Sequence, residues 1–293
     1  MIPRRLISAR RASRQALAAL LVPAGVLWAS GGVRIEKTIQ TTSNPRISIA
    51  NLKGTILVRS WDRPEVHVVS VTDSPRVEID SDQMPAGGQA TKVHFATHVL
   101  DPQLPAQEEG AGYRLDIPVG SSLEIHNPEG SVTIERLGAD EDVESVNGSI
   151  SVRDSSGHVS VRSLNGPIEI IRPSGRVEAY TVMGSLRITD SSSPRVRAQT
   201  VSGSIVFDGD FVPEGEYVLS SYQGAMDIAC PPEDSFELRA RTMHGRVDNE
   251  LQLTRKTHVP LSYGSGLFGV HNRGDATVQL TSYSGIIRLH PRL

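Results

Sequence analysis

Residues 145–152 read SVNGSISV, and eighteen residues later residues 163–170 read SLNGPIEI. Both segments have a hydroxyl side chain, an aliphatic, an asparagine and a glycine, followed by two more aliphatics separated by one residue. Related glycines continue the series, at Gly130, Gly148, Gly166, Gly184, Gly203, Gly224, Gly245 and Gly285. Their intervals are 18, 18, 18, 19, 21, 21 and 40 residues, and we interpret the last as two steps with Ser265 in the missing slot. Units of 18–21 residues that each stack on the next are typical of a solenoid.

Apolar side chains recur at fixed distances from each repeat glycine. They stand seven, five and two places before it and two and four places after it. The alternation within each half-unit predicts short β-strands with one buried face. At two places after the glycine, this pattern predicts one vertical file of Ile150, Ile168, Leu186 and Ile205. Burial of about five side chains does not outweigh the entropy lost by ordering one unit, so the stack is the stable object.

A hydroxyl side chain stands three places before each glycine from Gly148 onward. These residues are Ser145, Ser163, Thr181, Thr200, Ser221, Thr242, Ser262 and Ser282. The apolar parity shifts here, so the strand must bend, and a small hydroxyl can satisfy a backbone group that the bend leaves unpaired. A stacked Ser/Thr binding face is the alternative, and we favour the corner interpretation. The glycine marks a second irregular position, where a Cβ would be crowded or φ is positive.

The N-terminal half is also rich in strand patterns. In RISIANLKGTILVRSW, residues 46–61, Gly54 is followed by aliphatics at two and four places, as in the repeats. We therefore predict an all-β chain, a single-stranded parallel β-solenoid of 18–21-residue coils with an N-terminal β-layer. Its parts would be a signal peptide at 1–31, an N-terminal β region at 32–120 that is continuous with the solenoid, and the repeats at 121–293.

Three motifs in this order resemble the bacterial putative-adhesin, or toast-rack, family. They are Gly54-Thr55-Ile56-Leu57-Val58 with Trp61-Asp62, then Ile117-Pro118-Val119, then the repeats of SVNGSISV type. The resemblance covers about residues 34–290 and implies a β-solenoid in an exported or envelope-associated bacterial protein, with adhesion or envelope-stress sensing as its role. It implies no catalytic residues. Many relatives have aspartate after the repeat glycine, and this chain does not.

The first 31 residues have the order of a secretory signal. Five arginines without an acid precede the apolar run ALAALLVPAGVLWA at 16–29, and small residues follow. Fourteen helical residues would rise about 21 Å, too short for a hydrocarbon core of about 30 Å. An uncleaved anchor remains the alternative. The formal net charge of −3 gives no reason to expect nucleic acid as a partner. The lone Cys230 cannot form an internal disulfide, and we interpret it as structural.

One pair of acids is a candidate for catalysis. Asp227 and Asp248 both stand three places after a repeat glycine, in units that are consecutive along the chain. If these units stack, the two Cα atoms lie about 4.8 Å apart, near the separation that a retaining glycosidase needs. Arg246 could instead neutralise the pair. Stacked opposite charges at Glu144 and Arg162 favour that structural interpretation, as do those at Glu169 and Arg187.

Other motifs are weaker. His94 and His98 lie in the strand-like KVHFATHV and would be roughly 13 Å apart, so we expect solvated histidines and no metal. Arg273-Gly274-Asp275 is explained by a turn before the strand ATVQL. The glycines at 264–269 precede no Lys-Ser or Lys-Thr, which argues against a phosphate loop.

The sequence therefore favours an exported, non-enzymatic protein without a cofactor, which binds an envelope protein or a polysaccharide in an adhesin-like way. An envelope-stress regulatory domain that acts through a protein partner is the first alternative. Exposed, outward apolar residues on one coil edge, such as Val206 and Phe268, would favour such an interface. A carbohydrate-active enzyme at Asp227 and Asp248 is the second.

Overall fold

The computed structural model describes residues 32–101, 103, 109–256 and 264–292. These residues form 24 β-strands and no helix. The first twelve are β1 (Arg34–Ala50), β2 (Ile56–Trp61), β3 (Glu65–Thr72), β4 (Val77–Met84), β5 (Ala90–Val99), β6 (Ala111–Pro118), β7 (Ser122–His126), β8 (Val132–Glu135), β9 (Glu141–Ser145), β10 (Ile150–Arg153), β11 (Val159–Ser163) and β12 (Ile168–Ile171). The others are β13 (Val177–Met183), β14 (Leu186–Ser191), β15 (Arg195–Ser202), β16 (Ile205–Gly209), β17 (Glu216–Gln223), β18 (Met226–Cys230), β19 (Phe236–Thr242), β20 (Arg246–Asn249), β21 (Thr254–Arg255), β22 (Ser265–His271), β23 (Ala276–Ser284) and β24 (Ile286–Pro291). The predicted signal segment lies outside the described residues.

Each repeat contributes one strand to each of two sheets. Sheet I has the order β5, β1, β7, β9, β11, β13, β15, β17, β23, β19. Sheet II has the order β6, β2, β8, β10, β12, β14, β16, β18, β24, β20. All of these neighbours are parallel, so the described residues form ten stacked two-stranded coils. The predicted parallel β-solenoid is confirmed.

The predicted aliphatic file is also confirmed. Ile150 pairs with Ile168, Ile168 with Leu186, and Leu186 with Ile205. All four are at most 1% exposed and belong to one core that runs through the whole stack. Every coil therefore contributes to one narrow interior, which accounts for a stable fold with few aromatic residues.

The coils turn at two edges that differ in structure. At one edge, called the corner here, the chain passes from sheet I to sheet II through the repeat glycine. At the other edge, four successive coils place one residue in the left-handed region. These residues are Arg136 (φ 62), Asp154 (φ 56), Arg172 (φ 52) and Asp190 (φ 53). Arg172 donates to both carboxylate oxygens of Asp154 in the coil before it, at 2.6 and 3.0 Å, so the turns also stack.

The C-terminal end departs from a simple sequential stack. Strands β23 and β24 insert between the β17/β18 coil and the β19/β20 coil. The assignment of Ser265 to a missing repeat slot is wrong, because Ser265 begins β22, which runs antiparallel to β19. Strand β21 pairs antiparallel with β22 in turn. The 40-residue interval thus contains an antiparallel hairpin that lies against the end of sheet I.

The N-terminal end has a related arrangement. The coil formed by β5 and β6 lies outside the coil formed by β1 and β2, although it comes later in the chain. Antiparallel strands then flank this end: β4 pairs with β5, β3 with β6, and the first half of β1 with β3. Both sheets thus run unbroken from the N-terminal region into the repeats. At both ends, an internal segment forms the outermost coil.

Candidate binding surface

The hydroxyl residues of the repeats point into the corner and are buried. They belong to a file that also contains two asparagines and that reads, in stack order, Thr97, Asn51, Asn127, Ser145, Ser163, Thr181, Thr200, Ser221, Ser282 and Thr242, each at most 7% exposed. Ser262 lies outside the described residues. Thr181 Oγ1 donates to the carbonyl of Gly166 at 3.3 Å, and Thr242 Oγ1 donates to Gly285 at 3.2 Å. A stacked Ser/Thr face for a ligand is therefore excluded in these coils, because the hydroxyls are buried. Those of Ser163, Thr181, Thr200, Ser221 and Thr242 bond to backbone groups, whereas those of Ser145 and Ser282 have no hydrogen-bond partner among the described residues.

The repeat glycines lie on one another along the same corner. A Cβ at Gly166 would overlap with the backbone carbonyl of Gly148. The same overlap occurs at Gly130, Gly148, Gly184, Gly203, Gly224, Gly245 and Gly285, and at Gly54 the clash is with Ala111. Coil-to-coil contact at the corner thus leaves no room for any side chain there, and the glycines are a packing requirement.

The position two before the glycine is not part of the core, contrary to the sequence prediction. Leu164, Val201, Tyr222, Met243 and Tyr283 are between 39% and 49% exposed. Together with Val146 and Val182, which are half-buried, they form an apolar line along the outside of the corner. We call these seven residues the corner row. Contiguous exposed apolar surface of this kind is uncommon on soluble proteins and marks interaction sites.

The inserted C-terminal coil completes the corner row. Because β23 lies beside β17, the ring of Tyr283 stacks on that of Tyr222 with centroids 4.5 Å apart and planes 5° apart. His244 meets the other side of this pair edge-on, 5.2 Å from Tyr283. Sequence reasoning missed the pair, because 61 residues separate the two tyrosines (283 − 222 = 61) and the repeat count placed Tyr222 beside Met243.

A groove follows the corner row on the outer face of sheet I. Its volume is about 360 Å³, and Tyr180, Gln199, Ser220 and Thr281 line it together with the Tyr222–Tyr283 pair. The first four residues stand at one register position on β13, β15, β17 and β23. None of these four makes a side-chain hydrogen bond to the part of the chain that the structure describes. We call this feature the corner groove; it offers free donors and acceptors beside apolar rings.

Positive charge adjoins the corner groove. Arg195 and Arg197 are two places apart on β15, with the buried Val196 between them. Both therefore project from the outer face of sheet I, and both are exposed. Neither forms an ion pair or hydrogen bond with any described residue. At the start of the neighbouring strand β13, Glu178 forms an ion pair with Arg176, the residue just before that strand. A shallow depression of about 60 Å³ joins these side chains to Glu216 on β17.

The candidate residues Asp227 and Asp248 do not lie on adjacent strands. Strand β24 lies between β18 and β20, so Arg288 stands in register with Asp227 on one side and Asp248 on the other. The two aspartates are thus two strand spacings apart, about 9.6 Å. Asp227 accepts from His290 at 3.1 Å, and Asp248 pairs with Arg246 at 2.8 Å. The condition for a close pair, direct stacking of the two units, is therefore not met, and the spacing of these strands differs from that of a retaining glycosidase pair.

The stacked charges predicted elsewhere are present in part. Arg162 pairs with Glu144 at 3.5 Å in the neighbouring coil, and with Asp142 at 3.1 Å. Glu169 and Arg187 stand in register, but the ion pair of Glu169 is with Arg153 on its other side, at 3.5 Å. The coils from β9 to β12 therefore carry ion pairs on both outer faces.

The other residues singled out from the sequence contact neighbouring residues of the fold. His94 and His98 are exposed on β5, where His94 contacts Ser48 at 2.7 Å and His98 contacts Asp80 at 3.3 Å. Arg273-Gly274-Asp275 forms the predicted turn, with Gly274 at φ +84 and an Arg273–Asp275 ion pair of 2.7 Å. The described residues contain no group of three or more acids, histidines or cysteines that could hold a metal ion.

Three other side chains singled out from the sequence are buried or half-buried. Cys230 is fully buried, and burial raises the pKa of its thiol to about 12, in agreement with a structural role. Val206 and Phe268 are half-buried on their strands, and Phe268 lies beneath the Arg241 guanidinium at 5.1 Å. The predicted apolar interface is thus better represented by the corner row than by these two residues.

Comparison with known proteins adds little at the level of residues. No family model matches this sequence, and no curated protein does. A "putative adhesin" structure from Bacteroides fragilis is 10% identical over 88% of this chain and 97% of its own, with a TM-score of 0.48. A "putative cell adhesion protein" from Clostridium sporogenes is 8% identical over 89% of this chain and 100% of its own, with a TM-score of 0.31. Both are described as adhesion proteins, as the sequence resemblance implied. At these identities neither structure assigns a role to any residue here.

Proposed function

We propose that this chain is an exported, non-enzymatic binding protein that holds an extended envelope polymer along the corner groove, in the manner of an adhesin. The observation that carries the proposal is the corner row, exposed along successive coils and completed by the stacked Tyr222–Tyr283 pair. Apolar rings beside free amide and hydroxyl groups suit a ligand that is itself part apolar and part hydroxylated.

The stack geometry explains how such a protein would gain affinity. Neighbouring coils present equivalent positions about 4.8 Å apart, so a linear polymer can repeat one weak contact from coil to coil. Contacts within one chain of ligand add without a new loss of translational freedom. Rigidity also helps, because a fully hydrogen-bonded sheet loses little conformational entropy when the ligand binds.

Export rests on the charged, apolar and small-residue order of residues 1–31. Among the residues that the structure describes, no helix is long and apolar enough to cross a membrane. Fractionation of a bacterial host, with N-terminal sequencing of the accumulated protein, tests this part. We expect the chain outside the cytoplasm with its N-terminus near Gly32; recovery of the full-length chain in the cytoplasm would contradict export.

Binding is tested by retention of the purified chain on immobilised cell-envelope polysaccharides and on whole bacterial cells. The variant Tyr222→Ser/Tyr283→Ser should lose most of the retention, because each ring contributes about 1.5–3 kcal/mol when buried. Met84→Ser is the matched control: Met84 is 66% exposed and lies on β4, in the N-terminal part of the stack. Equal retention of both variants would refute the corner groove as the site. Release of reducing sugar ends by the unaltered chain would refute the non-enzymatic function.

A regulatory domain that acts through a protein partner is the second candidate. The observation that favours it is the apolar side chain of Met183, which is 57% exposed beside Leu164 at 44%. In that case Leu164→Ser and Met183→Ser would abolish binding to one purified envelope protein, while retention on polysaccharides would be absent for every variant.

A further inference from the structure

We propose that the polymer is an acidic polysaccharide, whose carboxylate or sulfate groups bind Arg195 and Arg197 while its sugar rings occupy the corner groove. This inference rests on the proposed binding function and names the class of its ligand. It depends on three features of one surface: two unpaired guanidinium groups, a band of free neutral polar groups, and the stacked tyrosines.

The arginine pair is the charged feature. Two residues along a strand are about 6.6 Å apart, so Arg195 and Arg197 project side by side from sheet I. In register with them stand Glu216 and Glu178 respectively, yet neither carboxylate forms an ion pair with either arginine. A guanidinium group holds carboxylate, sulfate or phosphate through two parallel hydrogen bonds, and these two are free to do so.

Other arginines on the outer face of sheet I are held by carboxylates of the same face. On the N-terminal coils of the same face, Arg162 is held by Asp142 and Glu144. The neighbouring Arg176 is held by Glu178. Arg46 on β1 and Lys92 on β5 also form no ion pair with a described residue, but they lie near the N-terminal end of sheet I. Beside the corner groove, the arginines without such a pair are Arg195 and Arg197. An anionic ligand supplies the missing partner.

The neutral band connects the arginines to the tyrosines. Along β15 the outward residues run Arg195, Arg197, Gln199 and Val201, from the far edge of the sheet to the corner. Ser220 and Thr281 extend the Gln199 position across β17 and β23. A sugar ring has hydroxyl edges and an apolar C–H face, so an acidic sugar can meet the arginines, the polar band and the rings together.

An acidic protein segment fits this surface less well. A peptide commonly adds to a sheet as an extra strand, but β13, β15, β17 and β23 are each paired on both sides. Affinity for a folded protein depends on side-chain anchors in deep pockets, and the depression at the arginines holds only about 60 Å³. The surface is shallow and long, as a linear carbohydrate requires.

The test compares three polymers by calorimetric titration of the purified full chain. Polygalacturonate is the acidic polysaccharide, dextran the neutral one, and poly-aspartate the acidic polypeptide. We expect binding to polygalacturonate that weakens as salt is added, with about tenfold loss in the variant Arg195→Gln/Arg197→Gln. Arg187→Gln is the charge-matched control, since Arg187 is exposed on sheet II and forms no ion pair with a described residue; it should change affinity less than twofold.

The outcomes separate this inference from the proposed function. Unchanged polygalacturonate affinity in the double arginine variant overturns the inference, and so does equal or tighter binding of dextran or poly-aspartate. Absence of binding to all three also overturns it. If Tyr222→Ser/Tyr283→Ser still abolishes retention on envelope material in those cases, the corner groove remains a binding site for a different ligand.

Discussion

A carboxylate inside the solenoid makes the stability of this protein depend on pH. Glu141 stands in sheet I between Leu123 and Val159, in a file whose further members include Val177 and Val196. It is 1% exposed. Ser155 Oγ donates to its Oε1 at 2.6 Å, while Oε2 has no hydrogen-bond partner in the described residues. Burial raises the pKa of Glu141 from 4.5 to about 8, and the Ser155 hydrogen bond opposes that rise.

The sign of the effect follows from proton binding. The folded protein keeps the Glu141 proton up to about pH 8, whereas the unfolded chain releases it near pH 4.5. Between these values the folded state binds more protons, so the free energy of unfolding decreases as pH rises. Each pH unit corresponds to about 1.4 kcal/mol, which gives a loss of about 3 kcal/mol between pH 5 and pH 7.5.

Substitution of Glu141 tests this reasoning. Glu141→Gln removes the titration and keeps an acceptor for Ser155, so we expect its stability to match that of the unaltered chain near pH 5 and to exceed it by about 3 kcal/mol at pH 7.5. Glu141→Leu should exceed it at both values, because leucine restores the apolar file. Guanidinium unfolding curves at the two pH values provide the measurement.

A matched control uses the neighbouring strand. Glu124 is exposed on the outer face of β7, so Glu124→Gln removes a carboxyl group from water instead of from the core. The difference between each variant and the unaltered chain cancels the other titrating groups. A stability difference for Glu141→Gln that is the same at pH 5 and pH 7.5 would refute the buried charge as the cause.

Three further predictions concern the interior. Gly166→Ala should lower the free energy of unfolding by more than about 2 kcal/mol, since its Cβ meets the Gly148 carbonyl, whereas Gly87→Ala has open space and should be neutral; thermal melts distinguish them. Asn51→Ala should lower the free energy of unfolding in urea by about 2–4 kcal/mol, because the Asn51 side-chain amide donates to Ala111 and Asn127 and accepts from Thr97. A loss no larger than that of an exposed Asn→Ala change would contradict this role. Cys230 should resist a thiol reagent at pH 8 in the folded protein and react fully in guanidinium, because burial raises its pKa to about 12; rapid native labelling would show that the coil edge opens.

The period of the sequence predicts most of the solenoid because each coil repeats one local rule. The spacing of Ile150 and Ile168 specifies which residues share a file, and the glycine at each corner specifies where the chain turns. Outward position at the corner was not predicted for Leu164 or Tyr222, because an apolar column suggests burial whichever way it faces. The sequence does contain an indication of the outward position: the alternation of apolar residues shifts by one place next to Ser163, so Leu164 falls on the opposite face.

The order of coils at the ends could not be read from the repeat. The 40-residue interval after Gly245 is equally compatible with two sequential coils and with a hairpin followed by an inserted coil. Long-range pairing selects the second arrangement, and this selection decides that Arg288 separates Asp227 from Asp248. The Tyr222–Tyr283 contact in the candidate site also depends on this arrangement, because it requires β23 to lie beside β17. That Arg197 forms no ion pair with a described residue depends on side-chain geometry, which the repeat pattern of the sequence does not specify.

The placement of the final coil has a consequence for biosynthesis. The β19/β20 coil cannot take its native place until β23 and β24 have filled the space beside β17 and β18, and those strands are synthesised after β19 and β20. In an export pathway that threads unfolded chains, the segment from β19 to β24 would therefore stay unfolded until β24 has emerged. Loss of even the last fifteen or so residues through a nonsense codon would unseat two coils instead of one.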